Sequence, residues 1–182
     1  MRNVLFVQGG GENVHDQWDN KLVDSLQRNL GADYEITYPL MPNEADPDYG
    51  TWKAALYQEF ANLRDDALLV GHSIGGMILV KALEEEPSQR AFGGIFLIAA
   101  PFVGEGGWTS DDVELPTDLG SRLPASMPVY LYHGSSDEEI PFDHVELYAR
   151  AIPQAVVRPL TGRDHQLNED LSEVAADIRR LK

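Results

Sequence analysis

Short runs that are apolar at every position recur along this chain, each followed by a longer stretch with helical spacing. Val4-Leu5-Phe6-Val7 is the first such run, and it leads into Gly9-Gly10-Gly11. A strand that alternates apolar and polar residues has one dry face, whereas one that is apolar throughout must be covered on both. The pattern therefore restricts the fold to a parallel sheet between two helical layers. Strands are expected over 4–7, 34–38, 67–71, 94–99, 129–133 and 155–159, and helices over 14–30, 52–63, 74–86, 142–151 and 167–181. In the first helix Trp18, Leu22, Leu26 and Leu30 lie four apart and mark a single buried face, with Gly31 as the stop; Pro87 ends the third helix. The expected architecture is a three-layer α/β/α sandwich with a mostly parallel sheet of about six strands, in one domain over 1–182. Residues 101–128 are long and irregular, which marks a binding loop or a partial lid.

Lys and Arg number 14 against 30 Asp and Glu, for a net charge of −16. A field of that sign repels phosphate backbones and anionic headgroups, so neither nucleic acid nor a membrane surface is an expected partner. With no cysteine, a disulfide framework, a thiolate metal site and a cysteine nucleophile are excluded. No metal-ligand spacing such as H-E-x-x-H occurs. The longest apolar runs, such as 93–101, fall far short of the roughly 18 residues a membrane span needs, and residues 1–9 do not read as a signal peptide. A soluble cytoplasmic protein is expected.

Chemistry enters at Gly71-His72-Ser73-Ile74-Gly75, a G-x-S-x-G between an expected strand and an expected helix. A serine on so sharp a turn adopts a strained backbone, so residues two positions away must be small. Ser73 is the candidate nucleophile, and the Ile74 N–H at the helix start is a candidate oxyanion donor. The glycine turn after the first strand offers a second donor, Gly10 before Gly11. That turn is not a nucleotide site, since position 14 is Val and no Lys-Ser/Thr follows.

Five histidines compete for the role of base. His165 lies between the last strand and the last helix, at the same sheet edge as Ser73. His72 neighbours Ser73 on a turn that points adjacent side chains apart and is read as structural; His133, His144 and His15 are less well placed. Asp137, in the loop after the fifth strand, is the candidate partner of His165, ahead of Asp143 and Asp164. Glu138 and Glu139 beside it are expected to face solvent. Phe102 and Trp108 are the candidate pocket residues, with Leu115, Tyr49 and Trp52 behind them.

Ser73, Asp137 and His165, in that order, resemble the α/β-hydrolase superfamily, with Gly134-Ser135-Ser136-Asp137 and Ile140-Pro141 resembling its acid loop and Gly162-Arg163-Asp164-His165 its histidine loop. The chain is similar to the small, cap-poor branch around retinoblastoma-binding protein 9, although it has Gln8-Gly9 where the family often has His-Gly. The resemblance implies hydrolysis of small esters through an acyl-enzyme, without metal or organic cofactor. Two alternatives stand beside it: the same triad acting on thioesters or amides, and a hydrolase-fold protein that binds without turnover.

Overall fold

A computed structural model describes residues 1–85 and 91–181. The chain alternates strand and helix throughout: β1 (Arg2–Val7), α1 (Asn20–Leu30), β2 (Tyr34–Thr37), α2 (Tyr49–Asn62), β3 (Leu68–His72), α3 (Ser73–Glu85), β4 (Gly94–Ile98), α4 (Leu119–Arg122), β5 (Val129–Gly134), α5 (Asp143–Ala151), β6 (Val156–Leu160) and α6 (Ser172–Arg180). The six strands form one all-parallel sheet in the order β2-β1-β3-β4-β5-β6. Glu86 and Pro87, the expected end of the third helix, lie outside the described residues.

The uniformly apolar strands pack as their sequence demands. On β1 and β3, Leu5, Val7 and Leu69 feed the core beneath α2, α3 and α5, while Val4, Phe6, Leu68 and Val70 feed the core beneath α1 and α6. Both faces of β3 and β4 are thus dry, whereas the edge strands β2 and β6 are only partly buried. Asp48 caps α2 by accepting the Thr51 N–H at 2.7 Å.

Two helix expectations change. The stretch 14–30 is not one α-helix: a wider, π-type turn over His15–Asp19 precedes α1. The wider turn breaks the four-residue register, so Trp18 leaves the leucine face and stands 50% exposed while Asp19 is fully buried. At the other end, Leu167, Asn168 and Glu169 take positive φ, and α6 starts only at Ser172.

Residues 101–128 do not stand off as a lid. Phe102, Val103, Val113, Leu115, Leu119 and Leu123 are buried in the core, and α4 forms within the segment.

The strand order places β2 and β3 on opposite sides of β1. Connections leaving β1 and β3 therefore diverge, opening a crevice at their carboxyl ends, the usual place for a ligand in such sheets.

Candidate active site

Ser73 occupies that crevice. It follows β3, opens α3, and has φ 51°, the left-handed region that a residue with a Cβ enters only at a cost. The flanking glycines explain how the turn closes. A Cβ on Gly75 would lie 1.9 Å from the Gln8 carbonyl oxygen, and one on Gly71 would lie 2.5 Å from the Gly76 Cα. Ile74 sits in the first turn of α3, where N–H groups have no intrahelical acceptor.

Asp137 and His165 come from the turns after β5 and β6. His165 Nδ1 is 2.9 Å from Asp137 Oδ2, and the carboxylate's Oδ1 accepts the N–H groups of Glu139 and Ile140, each at 2.9 Å. Burial pushes the Asp137 pKa up, but these three hydrogen bonds and the imidazole outweigh it and hold the group below the usual carboxylate range. His165 is buried on the Asp137 side and opens onto a cleft of about 440 Å³ that Ser73 also lines. Among the described residues the Ser73 hydroxyl has no hydrogen-bond partner, so it is free within that cleft.

The three glycines after β1 are not equivalent. The Gly9 N–H is taken by Asp19 Oδ2 at 2.7 Å, and the Gly11 N–H by the Glu44 carbonyl at 2.7 Å. Among the described residues the Gly10 N–H has no acceptor, and Gly10 lines the cleft beside Ile74. Gln8 is fully buried and braces this turn. Its Oε1 accepts the Met41 N–H at 3.0 Å and its Nε2 donates to Glu44 at 2.6 Å.

A sequence profile of the alpha/beta hydrolase family matches residues 4–180. The chain belongs to that family. No curated protein matches it. Among solved structures this alpha/beta hydrolase is similar to the ydeN gene product from B. subtilis, at 20% identity and a TM-score of 0.75, covering 100% of this chain and 98% of that one. It is also similar to Est1E from Butyrivibrio proteoclasticus (14% identity, TM-score 0.70, 98% of this chain and 86% of that one) and to a bromoperoxidase from Bacillus anthracis (15%, 0.69, 98% and 92%). At such identities the likeness is one of fold.

The walls of the hydrolase cleft differ from those expected. Gly9, Gly10, Val14 and Trp18 line it from the segment after β1, and Ser136, Glu138, Glu139, Asp164 and Gln166 from the turns after β5 and β6. Phe102 and Trp108 are placed elsewhere. Phe102 is buried edge-on against Tyr148, and Trp108 packs on His144 beside a separate hollow. The reason is the apolar content of 101–128, which carries that segment into the core. Glu138 and Glu139 are exposed, as expected, and from its exposed position Glu139 still brings Oε2 to 3.7 Å from His165 Nε2. Trp18 could not be read as a wall residue because its spacing to Leu22 and Leu26 is that of a buried face.

His133 also approaches the candidate acid, its Nε2 3.4 Å from Asp137 Oδ2, while His144 and His15 have other partners. His133 Nε2 lies 2.9 Å from the Ile140 carbonyl, His144 Nδ1 accepts the Phe102 N–H at 2.8 Å, and burial lowers the pKa of both. His15 stacks on Tyr38 with ring centroids 4.1 Å apart. No three His, Asp or Glu side chains converge as a metal-ligand group, and no helix is long and apolar enough to cross a membrane, both among the described residues.

Proposed function

We propose that this alpha/beta hydrolase is a serine hydrolase of small carboxylic esters, with Ser73 as nucleophile, His165 as general base and acid, and Asp137 as its orienting partner. One arrangement carries the reading: a serine held left-handed at the sheet's crevice shares its cleft with an imidazole whose other nitrogen is bound to a buried carboxylate. Ser73 Oγ attacks the ester carbon while His165 Nε2 takes its proton, the hydrogen bond between them forming as substrate fills the cleft. The oxyanion is held by the N–H groups of Gly10 and Ile74. Collapse releases the alcohol, protonated by His165, and leaves an acyl-enzyme that water opens by the same path in reverse.

Substrate charge and size follow from the walls. The lining has Glu138, Glu139 and Asp164 but neither Lys nor Arg, which disfavours anionic esters. Each acyl methylene that meets Val14 or Trp18 contributes up to about 0.8 kcal/mol, and any that protrudes into water contributes almost none. Neutral short-chain esters are the preferred substrates. The narrower likeness to the retinoblastoma-binding protein 9 type, a cytoplasmic setting and the absence of nucleic-acid or membrane partners belong to the same proposal.

Labelling with a fluorophosphonate probe tests it. Wild type reacts at Ser73 and the Ser73→Ala protein does not; equal labelling of both removes the assignment. The rate across p-nitrophenyl acetate, butyrate and octanoate then tests the size limit, which a steady rise to octanoate contradicts.

A further inference from the structure

His72, beside Ser73 at the end of β3, is only 1% exposed, and each of its ring nitrogens faces a group that can only accept. Nδ1 lies 2.9 Å from Asp19 Oδ2, and Nε2 lies 3.1 Å from the backbone carbonyl oxygen of His165. A neutral imidazole has one N–H and one lone pair, so either tautomer would aim a lone pair at an acceptor in a dry setting. Burial pushes the Asp19 carboxyl up, but His72 and the Gly9 N–H outweigh it and hold the group below its ordinary range. With Asp19 thus ionised, only the imidazolium satisfies both. Asp19, fully buried, supplies the counter-charge, and it also accepts the Gly9 N–H at 2.7 Å and the Gln166 side chain at 3.3 Å. One ion pair therefore touches the glycine turn after β1, the serine turn after β3 and the turn that carries His165.

We propose that the Asp19–His72 ion pair is a positioning unit: in its charged form it holds the backbones of Gly9 and His165 in place around Ser73, and it releases His165 when His72 loses a ring proton. The proposal rests on the serine-hydrolase reading for its kinetic consequence, but not for the charge state itself. The groups that face His72 are Asp19 from the turn before α1, the His165 ring at a centroid distance of 4.8 Å, and the Asp137 carboxylate from the β5–α5 turn. Burial opposes charging the ring, yet the carboxylates and the two hydrogen bonds prevail and raise its pKa. Neutral His72 keeps its bond to Asp19 and turns a lone pair toward the His165 carbonyl, so release occurs on the alkaline side.

Two measurements decide it. Nitrogen-15 NMR of the imidazole rings in the wild-type protein at pH 7 should show both His72 nitrogens protonated, converting to the neutral form at higher pH than an exposed histidine. A neutral tautomer at pH 7 overturns the proposal, whatever the protein hydrolyses. In kinetics with p-nitrophenyl acetate, Asp19→Asn should lower kcat on the order of 10- to 100-fold with little change in KM, the scale of a misplaced reacting group. Fluorophosphonate labelling should slow in parallel, and the alkaline fall in kcat should move to lower pH. Asp24→Asn, the same charge change at an exposed position on α1, should leave all three unchanged. An Asp19→Asn protein with wild-type kcat and an unmoved alkaline limb refutes the positioning role. If wild type neither labels nor turns over, the hydrolase reading fails, while the NMR result still decides the ion pair.

Discussion

Glu139 brings its Oε2 to 3.7 Å from His165 Nε2, the nitrogen on the cleft side of the ring, while Asp137 holds the opposite nitrogen at 2.9 Å. The imidazole thus stands between two carboxylates of unlike setting. The side chain of Asp137 is fully buried and accepts three hydrogen bonds; that of Glu139 is 71% exposed.

Exposure limits what Glu139 can do. Glu139→Gln should raise kcat/KM for a p-nitrophenyl succinyl ester about two- to five-fold relative to the acetate, as expected for one screened surface charge. The gain should shrink at high salt. A series of rates at two ionic strengths checks this, and an unchanged succinyl-to-acetate ratio shows that the carboxylate does not select.

Asp137→Asn keeps the shape of the loop but offers the imidazole an amide. His165 then settles in the wrong tautomer or loses its partner, and kcat should fall on the order of 10,000-fold, the loss expected when a triad carboxylate becomes an amide. Single-turnover acylation separates this from a folding defect, since circular dichroism should be nearly unchanged.

Gly75→Ala places a methyl group into the Gln8 carbonyl, at 1.9 Å before relaxation. Backbone on backbone has no rotamer to yield, so stability should drop by at least the roughly 1–3 kcal/mol of an overpacked core. Urea midpoints measure it. A near-neutral result means that β1 and α3 can separate without cost.

Stability should also depend on pH through Asp19 and His72. His72 titrates above its ordinary 6.5, so its contribution is complete below that pH and is lost as pH climbs through the raised folded value. For Asp19 burial pushes the pKa up, but His72 and the Gly9 N–H bring it below its ordinary 3.8. Its contribution is complete above that pH and is lost as pH falls through the lowered folded value. Between these ordinary values both act in full. His72→Ala leaves a buried carboxylate unpaired and should cost about 3–5 kcal/mol there. Denaturant melts from pH 3 to 10 test the profile, which Asp19→Asn should flatten at both ends.

How far the sequence could be read depended on whether a feature was periodic. The inner strands were legible because runs such as Val4-Leu5-Phe6-Val7 leave no wet face, and the serine turn because its glycines sit at fixed offsets. Asp137 and His165 were legible from their places after the fifth and sixth strands, and the structure brings them into contact. What was hidden lies where one extra residue enters a turn. The leucine spacing of α1 continues backward through Trp18, so nothing in the pattern announces the wide turn that sends Trp18 to the cleft and Asp19 inward. Residues 101–128 misled for the opposite reason: Val103, Val113 and Leu115 are buried without any period. The inward reach of Glu139 depends on a rotamer, which no spacing encodes.

The positive φ of Ser73 sets the proposed chemistry against durability at one residue. Alanine at that position keeps the Cβ and so keeps the unfavourable backbone, whereas glycine relieves it. Ser73→Gly should therefore melt above Ser73→Ala by up to about 1 kcal/mol, the left-handed penalty less the extra chain entropy that glycine loses on folding. On the proposed reading of Ser73 as nucleophile, the sturdier variant is the inert one, and selection for turnover rather than for folding keeps a hydroxyl at the head of α3.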